Sequence, residues 1–358
     1  MLLAAFLLNS TLLALSIVNY LSLRRPQQSR KIKSSVAILL PVRNEEENIT
    51  RILQELQAQE GVDRLRIIVI DDESSDRTRE LALKAARGDT VVIDARPPAP
   101  GWIGKVNALD CGLESLAVEL PDYIVSIDAD VSFEPTAISR AIATIEDTNL
   151  DFISPYPRQI ALTWGERLIQ PLLQWSWMST LFIRGAEIFP HQSTVVCNGQ
   201  FLVMRTSSLI SSGGFSSVSG AVLDDIELGR SFVRAGFRGA VINGAQIAST
   251  RMYANFNEIR GGYGKSLHRA FGGIVGSLVA ASFFLFTAII PALLALTGDI
   301  FAIAALIAII STRVVSAEIS ESRIRDSFLH PVSALLFLYL LYFSWAHRSE
   351  AQWKGRTI

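Results

Sequence analysis

The sequence predicts an α/β domain, a parallel sheet covered by helices, set between apolar segments at the two ends of the chain. Three observations carry this. Residues 34–260 alternate short apolar runs with helical periodicity, the pattern of strand–helix units. Two of the runs end in aspartates, at Asp71-Asp72 and at Asp128-Ala129-Asp130, where sheets of this class bind ligands. Residues 1–23 and 270–298 hold no charged side chain, although the 358-residue chain is 19% charged overall.

Residues 2–23 are long enough to cross about 30 Å of hydrocarbon as a helix. A cleaved signal peptide would carry its positive charge before a shorter apolar run. Here Arg24, Arg25, Arg30, Lys31 and Lys33 follow the run. The segment 1–23 therefore reads as an anchor, and the positive-inside rule places the next domain in the cytoplasm.

After a linker at 26–35, residues 36–40 read as a buried strand, and Pro41 to Asn44 as a turn. A helix is expected over 45–59, with Ile49, Ile52, Leu53 and Leu56 on one face. Strand 66–70, helix 76–86, strand 90–93, helix 105–115 and strand 123–127 continue the alternation. The Pro-rich loop 96–101, followed by Trp102 and Lys105, reads as a mobile rim. At the C-terminal end, 274–297 is a spanning helix. Residues 300–311 give only about 12 apolar residues before Arg313, a weak spanner of re-entrant or interfacial kind. Residues 331–346 read as a last span, with Tyr339, Tyr342 and Trp345 as interface anchors. Arg348, Lys354 and Arg356 in the basic tail 347–358 prefer the cytoplasm. Two C-terminal crossings satisfy that preference and three do not; both stay open. The domains expected are thus 1–23, 34–265, 270–346 and the tail.

The net charge of −1 gives no basic field toward nucleic acid, and no basic stripe is interleaved with aromatics. Cys111 and Cys197 lack metal-ligand spacing and read as free thiols of a reducing compartment.

Chemistry concentrates in three carboxylate groups. In Asp128-Ala129-Asp130 alternate side chains at a strand end point the same way. Such a pair suits a hard divalent cation, which takes one or two carboxylates plus substrate phosphates; a turn or helix cap is the plainer use. In Asp71-Asp72-Glu73-Ser74-Ser75-Asp76 the choice lies between capping the helix at Asp76 and accepting the imide N–H of a uracil-type base. Asp224-Asp225 follows Gly213, Gly214 and Gly220 and precedes a helix running to Ala235. It is either a cap or a general base for an acceptor hydroxyl.

With these residues in place, the chain from Val36 to Lys265 resembles the family 2 inverting glycosyltransferases, which have the Rossmann-like GT-A fold of nucleotide-diphospho-sugar transferases. Pro41-Val42-Arg43-Asn44-Glu45, the stretch Val69 to Thr78 and Gly104-Lys105-Val106-Asn107-Ala108 are similar to its donor-side motifs. Asp128-Ala129-Asp130 is similar to its metal motif, Asn198-Gly199-Gln200 to its acceptor-side strand, and Leu223-Asp224-Asp225 to its base motif. The resemblance implies a nucleotide-sugar donor, with a lean to UDP, bound by Pro41, Arg43, Glu45, Asp71, Asp72, Lys105 and Asp128. It implies Mg or Mn on Asp128 and Asp130, Asp225 as the base, and Asn198, Gly199, Gln200 and Asp224 on the acceptor side.

Pro100-Gly101-Trp102-Ile103-Gly104-Lys105 and Trp353-Lys354-Gly355-Arg356 are similar to the branch that glycosylates terpenoid lipids, carotenoid or hopanoid. The Gln-x-x-Arg-Trp motif of processive synthases is missing from 260–265, which favours single transfer to a lipid at the membrane. The implied protein is multi-pass in the cell membrane, with a cytoplasmic catalytic domain. Transfer to a polyprenyl phosphate and a non-catalytic nucleotide-sugar-binding scaffold are the competing readings. Trp164, Leu168, Ile169, Leu172, Trp175 and Met178 form a stripe that suits core packing or a membrane-surface helix admitting a lipid.

Overall fold

The computed structural model describes residues 1–348, 352–353 and 356–357, and the chain divides into two compact units. One holds Arg24–Arg158 and Gly185–Thr250; the other holds Met1–Leu23, Gln159–Arg184 and the chain from Arg251 onward. The strands are β1 (Ile32–Val42), β2 (Val62–Asp71), β3 (Thr90–Asp94), β4 (Tyr123–Ile127), β5 (Val131–Phe133), β6 (Phe152–Tyr156), β7 (Arg158–Gln159), β8 (Phe201–Arg205), β9 (Gly239–Asn243) and β10 (Ala248–Thr250). The first nine helices are α1 (Leu2–Ser22), α2 (Ile49–Gln57), α3 (Thr78–Ala85), α4 (Gly104–Ser115), α5 (Ala137–Thr148), α6 (Trp164–Thr180), α7 (Ile183–Ile188), α8 (Thr206–Ser211) and α9 (Asp224–Arg234). They are followed by α10 (Phe256–Ala270), α11 (Ile274–Phe284), α12 (Ile290–Ala295), α13 (Ile300–Ile319) and α14 (His330–Ala346).

The first unit is built on a 7-stranded sheet in the order β3-β2-β1-β4-β8-β6-β9. The expected all-parallel sheet is corrected to a mixed one. β8 pairs antiparallel with both β4 and β6, while β1, β2, β3 and β4 are mutually parallel and β6 is parallel to β9. The outcome of that reversal is positional. Ile127 at the end of β4 lies opposite Phe201 at the start of β8, so Asp128 and the Asn198-Gly199-Gln200 turn meet at one edge of the sheet. Val42, Asp71 and Asp94 end three adjacent strands in register at that same edge.

Both faces of the sheet are covered, which explains the near-continuous apolar runs. On β1, Val36, Ile38 and Leu40 pack with Ile49, Ile52, Leu53 and Leu56 of α2. Ala37 and Leu39 face the other layer, with Val106 and Leu109 of α4 and Leu228 and Phe232 of α9. Leu39 is fully buried, so truncating it to Ala costs about 2–5 kcal/mol. The strands run longer than their apolar cores. β1 takes in 32–35 from the expected linker and Pro41-Val42 from the expected turn. α2 begins at Ile49 rather than Glu45, because Asn44 (φ 54°) adopts a left-handed conformation and a turn fills the interval.

The second unit contains four helices long and apolar enough to cross a membrane: Leu2–Ser22, Ile274–Ala295, Ile300–Ile319 and Ile324–Ala346. The expected weak spanner is corrected here, since α13 continues through Arg313 to Ile319 as 20 residues, with Arg313 buried. α1 is polar inward and apolar outward. Asn9 donates to the Thr287 and Ala305 carbonyls (2.8 and 2.9 Å), and Asn19 to those of Met178 and Leu181 (2.8 and 2.6 Å). Leu3, Leu7, Ile17 and Leu21 are exposed. Interhelical side-chain bonds with apolar outer faces are the packing mode of helices in lipid. The stripe on α6 is core: Ile169, Leu172, Trp175 and Met178 are buried, and only Trp164 stands well exposed at 63%.

Candidate active site

Lys105 lies in the first turn of α4, and its Nζ sits 2.7 Å from Oδ1 of Asp128 in the loop after β4. Burial opposes its charge, but the carboxylates of Asp128, Asp224 and Asp225 outweigh that and hold its pKa above the ordinary lysine value. One half-buried ammonium therefore gathers carboxylates from two separate chain segments.

Asp225 enters at the start of α9. Its Oδ2 accepts the Gly199 N–H (2.8 Å) and its Oδ1 accepts the Ile226 N–H (2.8 Å), so two backbone groups fix the carboxylate. Gly199 is required by this approach. A Cβ there would lie 3.1 Å from Lys105 Nζ and 3.4 Å from the Asp225 Cβ. Burial pushes Asp224 up to about 6, opposed by Lys105 and reinforced by Asp225 and Asp128. Burial raises Asp225 as well, against Lys105 and the two N–H donors. Asn198 and Gln200 serve the turn itself: the Asn198 side chain accepts the Gln200 N–H (2.9 Å) and donates to Gln200 Oε1 (3.0 Å).

Asp130 is pushed up to about 6 by burial, with Asp128 and Glu45 adding to the shift and Lys105 opposing it. Its Oδ1 is buried with no hydrogen-bond partner among the described residues. Two adjacent carboxylates, one with an orphaned oxygen, fit a divalent cation that completes its shell with substrate phosphates and water. No cage of three or more His, Cys, Asp or Glu side chains exists among the described residues, so a cation there depends on the donor for further ligands.

At the β1 and β2 ends, Arg43 donates to the Asp72 carbonyl (2.6 Å) and lies 3.5 Å from Oδ2 of Asp72. Asp71 accepts the Ser74 N–H on Oδ2 (3.3 Å) and keeps a buried Oδ1 without a partner among the described residues. Asp72 is thus committed to Arg43, while Asp71 retains an open acceptor. Asp76 is a local cap, its Oδ1 accepting from the Thr78 N–H and hydroxyl (2.9 and 2.6 Å). The Glu45 N–H donates to the Thr78 hydroxyl (2.7 Å), and Pro41, next to last in β1, lies opposite Ile70. Asn44 and Glu73, with φ of 54° and 55°, hold the two strand-end turns in left-handed conformations, of the kind that collects at functional sites.

Lys105, Asp128, Gly199, Asp224 and Asp225 therefore form one cluster, with Asp130 next to Asp128 and Glu45 within electrostatic range of Asp130. Arg43 follows the end of β1, the strand next to β4, and Asp71 and Asp72 lie at the end of β2 on the far side of β1. The rim loop is tied down: Ile103 N–H donates to the Ser219 carbonyl (2.7 Å), and Asn107 donates to the Arg96 carbonyl (2.6 Å).

Two residues escaped sequence reasoning. Arg51 of α2 donates to the carbonyls of Ala129 (3.2 Å) and Val131 (3.0 Å), pinning the Asp128–Asp130 loop from beneath. Tyr156, at the end of β6, is buried, and its phenol is raised by that burial and by the charge of Asp225. No spacing rule pointed to either. Both thiols are free, with Cys197 buried.

Residues 37–211 match the family described as Glycosyl transferase family 2. The 4,4'-diaponeurosporenoate glycosyltransferase of Staphylococcus haemolyticus (strain JCSC1435) is 28% identical over 244 residues, covering 65% of this chain and 61% of that protein. The enzyme of the same name from Staphylococcus aureus (strain MRSA252) is 25% identical over 258 residues, covering 69% and 64%. The chain thus spans less than two thirds of the length of these curated relatives. Among solved structures, the mannosyltransferase PcManGT of Pyrobaculum calidifontis, in complex with GDP-Man and Mn2+, superposes with a TM-score of 0.53 at 14% identity, covering 97% of this chain and 99% of that one. The strand-end carboxylates, the mixed sheet and these likenesses agree: residues 37–211 hold a glycosyl transferase family 2 domain, and the chain has the GT-A fold.

Proposed function

We propose that the protein transfers a sugar, with inversion, from a nucleotide-sugar to a lipid acceptor at the membrane surface. The observation that carries this reading is Lys105 held among Asp128, Asp224 and Asp225, with the orphaned Oδ1 of Asp130 alongside. Asp71, with its open Oδ1, receives the imide N–H of a uracil-type base, and Arg43 and Glu45 shape that side of the donor pocket. Lys105 balances charge on the diphosphate as it leaves. A divalent cation held by Asp128 and Asp130 supplies further charge stabilisation to the diphosphate when bound. Asp225, oriented by two backbone N–H groups, takes the acceptor proton, and burial together with the charge of Asp128 raises its basicity.

A second acceptor chemistry has its own support. The relatives are named for a diaponeurosporenoate, a carboxylate, and a carboxylate nucleophile needs no base. Under that reading Asp225 positions the acceptor instead. Assaying nucleotide release from UDP-sugars by the full chain in lipid nanodiscs, with and without EDTA, tests the reaction. Turnover that is insensitive to EDTA sinks the cation's role.

For topology, the basic residues after Leu23 support a catalytic unit on the cytoplasmic side. Three crossings, by α1, the 274–295 helix and α13, agree with the basic tail if α14 returns to its side of entry. Two contacts support that return. The Trp345 Nε1 donates to Ser277 in the first turn of α11 (2.9 Å), and Phe337 packs against Phe284 in a tilted arrangement further along both helices (ring centroids 4.6 Å). The C-terminal end of α14 and the start of α11 thus share one end of the bundle.

A further inference from the structure

Arg313 lies in the C-terminal half of a 20-residue apolar helix, is 3% exposed, and forms no hydrogen bond or ion pair among the described residues; its Nε is buried and orphaned. Arginine keeps its charge in every protein environment, and an unpaired charge in an apolar interior is strongly unfavourable. The carboxylate that could have answered it is taken. Asp326, also buried, accepts a two-point ion pair from Arg167, whose Nε lies 2.8 Å away.

The surroundings are equally unfinished. Thr312, the preceding residue, accepts from Trp175 Nε1 (2.7 Å), and the Trp175 ring lies 4.6 Å, centroid to centroid, from His330. His330 is 0% exposed, yet neither ring nitrogen has a partner among the described residues. Arg313 is within electrostatic range of both His330 and Asp326. Ser333, one turn along α14 from His330, is buried with an unpartnered hydroxyl. Several donors with no acceptor, one permanently cationic, converge where α6, α13 and α14 meet. An ionisable residue placed in this way in a membrane helix marks a ligand or ion path.

We propose that this cluster is a binding site for an anionic oxygen group, a phosphate or carboxylate, that belongs to a lipid. The guanidinium matches the planar oxygens of such a group in two-point fashion, and Ser333 and His330 supply the remaining donors. A lipid is favoured over a soluble ion because the residues that flank the cluster before and along the start of α14 are apolar and exposed at Ile324, Phe328, Val332 and Leu335. The site depends on reading α13 as a membrane helix and not on the transfer reaction, so its failure and that of the transferase reading are separable.

The test uses the full chain in phosphatidylcholine nanodiscs, with and without added phosphatidic acid. The wild type should melt about 2–4 °C higher with phosphatidic acid, and Arg313→Met should lose that shift. Arg313→Met should also be no less stable than wild type in phosphatidylcholine alone, since it removes an unanswered charge. Inorganic phosphate in phosphatidylcholine discs identifies the source. An equal shift assigns the site to a soluble anion and overturns the lipid proposal; no shift supports it. An equal response of wild type and Arg313→Met to phosphatidic acid, or no response from either, also overturns it. Should Arg313→Met not fold, native mass spectrometry of the wild type and His330→Phe takes its place. Retained phosphatidic acid on the wild type, weakened in His330→Phe, supports the site, and retention of neither lipid in preference contradicts it.

Discussion

Lys105 Nζ lies 2.7 Å from Asp128 Oδ1 and is held in its charged form by carboxylates from two other chain segments. It lowers the pKa of Asp224, Asp225 and Asp130. Lys105→Met should therefore do two separate things. Turnover should fall by about 10²–10³-fold, the usual loss for a preorganised stabilising group. The acid limb of the pH–rate profile should move to higher pH, because its carboxylates lose their stabilising cation. A rate loss with an unmoved profile would show that Lys105 acts only on the donor.

Asp130 and Asp224 are pushed up to about 6, against about 3.9 in an unfolded chain. Between about pH 4 and pH 6 the folded protein holds protons that the unfolded chain has released, so these groups make stability fall as pH rises through that window. Without divalent cations, Asp224→Asn should flatten this fall, measured as the thermal midpoint from pH 4.5 to 6.5. Adding Mn2+ should restore stability mainly above pH 6, where Asp130 is ionised. Turnover should rise across the same window.

Arg51 touches neither donor nor acceptor in this account, yet it holds the Ala129 and Val131 carbonyls. Arg51→Gln should weaken the activating divalent cation by about 10–100-fold, as loss of an outer-shell support does, and leave the fold intact. A metal titration of activity reads this directly; raising the cation concentration should recover most of the rate.

Gly199→Ala places a methyl 3.1 Å from Lys105 Nζ and 3.4 Å from the Asp225 Cβ. The flexible lysine end yields first and leaves Asp128. Turnover should drop by about 10²-fold, the cost of an ångström-scale misplacement, with nearly unchanged thermal stability. Steady-state kinetics beside a melting curve separates these effects.

Much of this was legible in the residues because buried strands and strand-end aspartates write themselves in short local patterns. The runs ending at Asp71 and Asp128 located the site edge, and the face formed by Ile49, Ile52, Leu53 and Leu56 was fully buried as its periodicity required. The direction of β8 was not legible, since Phe201–Arg205 reads the same either way and only its partners β4 and β6 decide. α13 was cut short at Arg313 because a charge usually ends an apolar span; here the charge is buried inside the helix bundle. Arg51 looked like any helix-surface arginine, and its role arises from a contact 78 residues away. The suggested Trp353-Lys354-Gly355-Arg356 resemblance lies partly outside the described residues, at Lys354 and Gly355.

Asp225 and Asp224 separate the two acceptor chemistries. If a hydroxyl is the nucleophile, Asp225→Asn should cut turnover by about 10²–10⁴-fold and leave donor affinity nearly unchanged, because the donor contacts lie at Asp71, Lys105 and Asp130. Asp224→Asn should cost less. Near-wild-type turnover in Asp225→Asn, measured beside donor binding, would instead favour a carboxylate or phosphate acceptor.

The most direct measurement of the central claim is the lipid profile of cells expressing the wild-type chain or Asp130→Asn, read by mass spectrometry together with EDTA-treated membranes supplied with labelled UDP-sugars. The expected result is a lipid heavier by one sugar residue in the wild type alone, with label incorporation abolished by EDTA and by the substitution. Identical lipid profiles, or labelling that persists in Asp130→Asn and in EDTA, would contradict it.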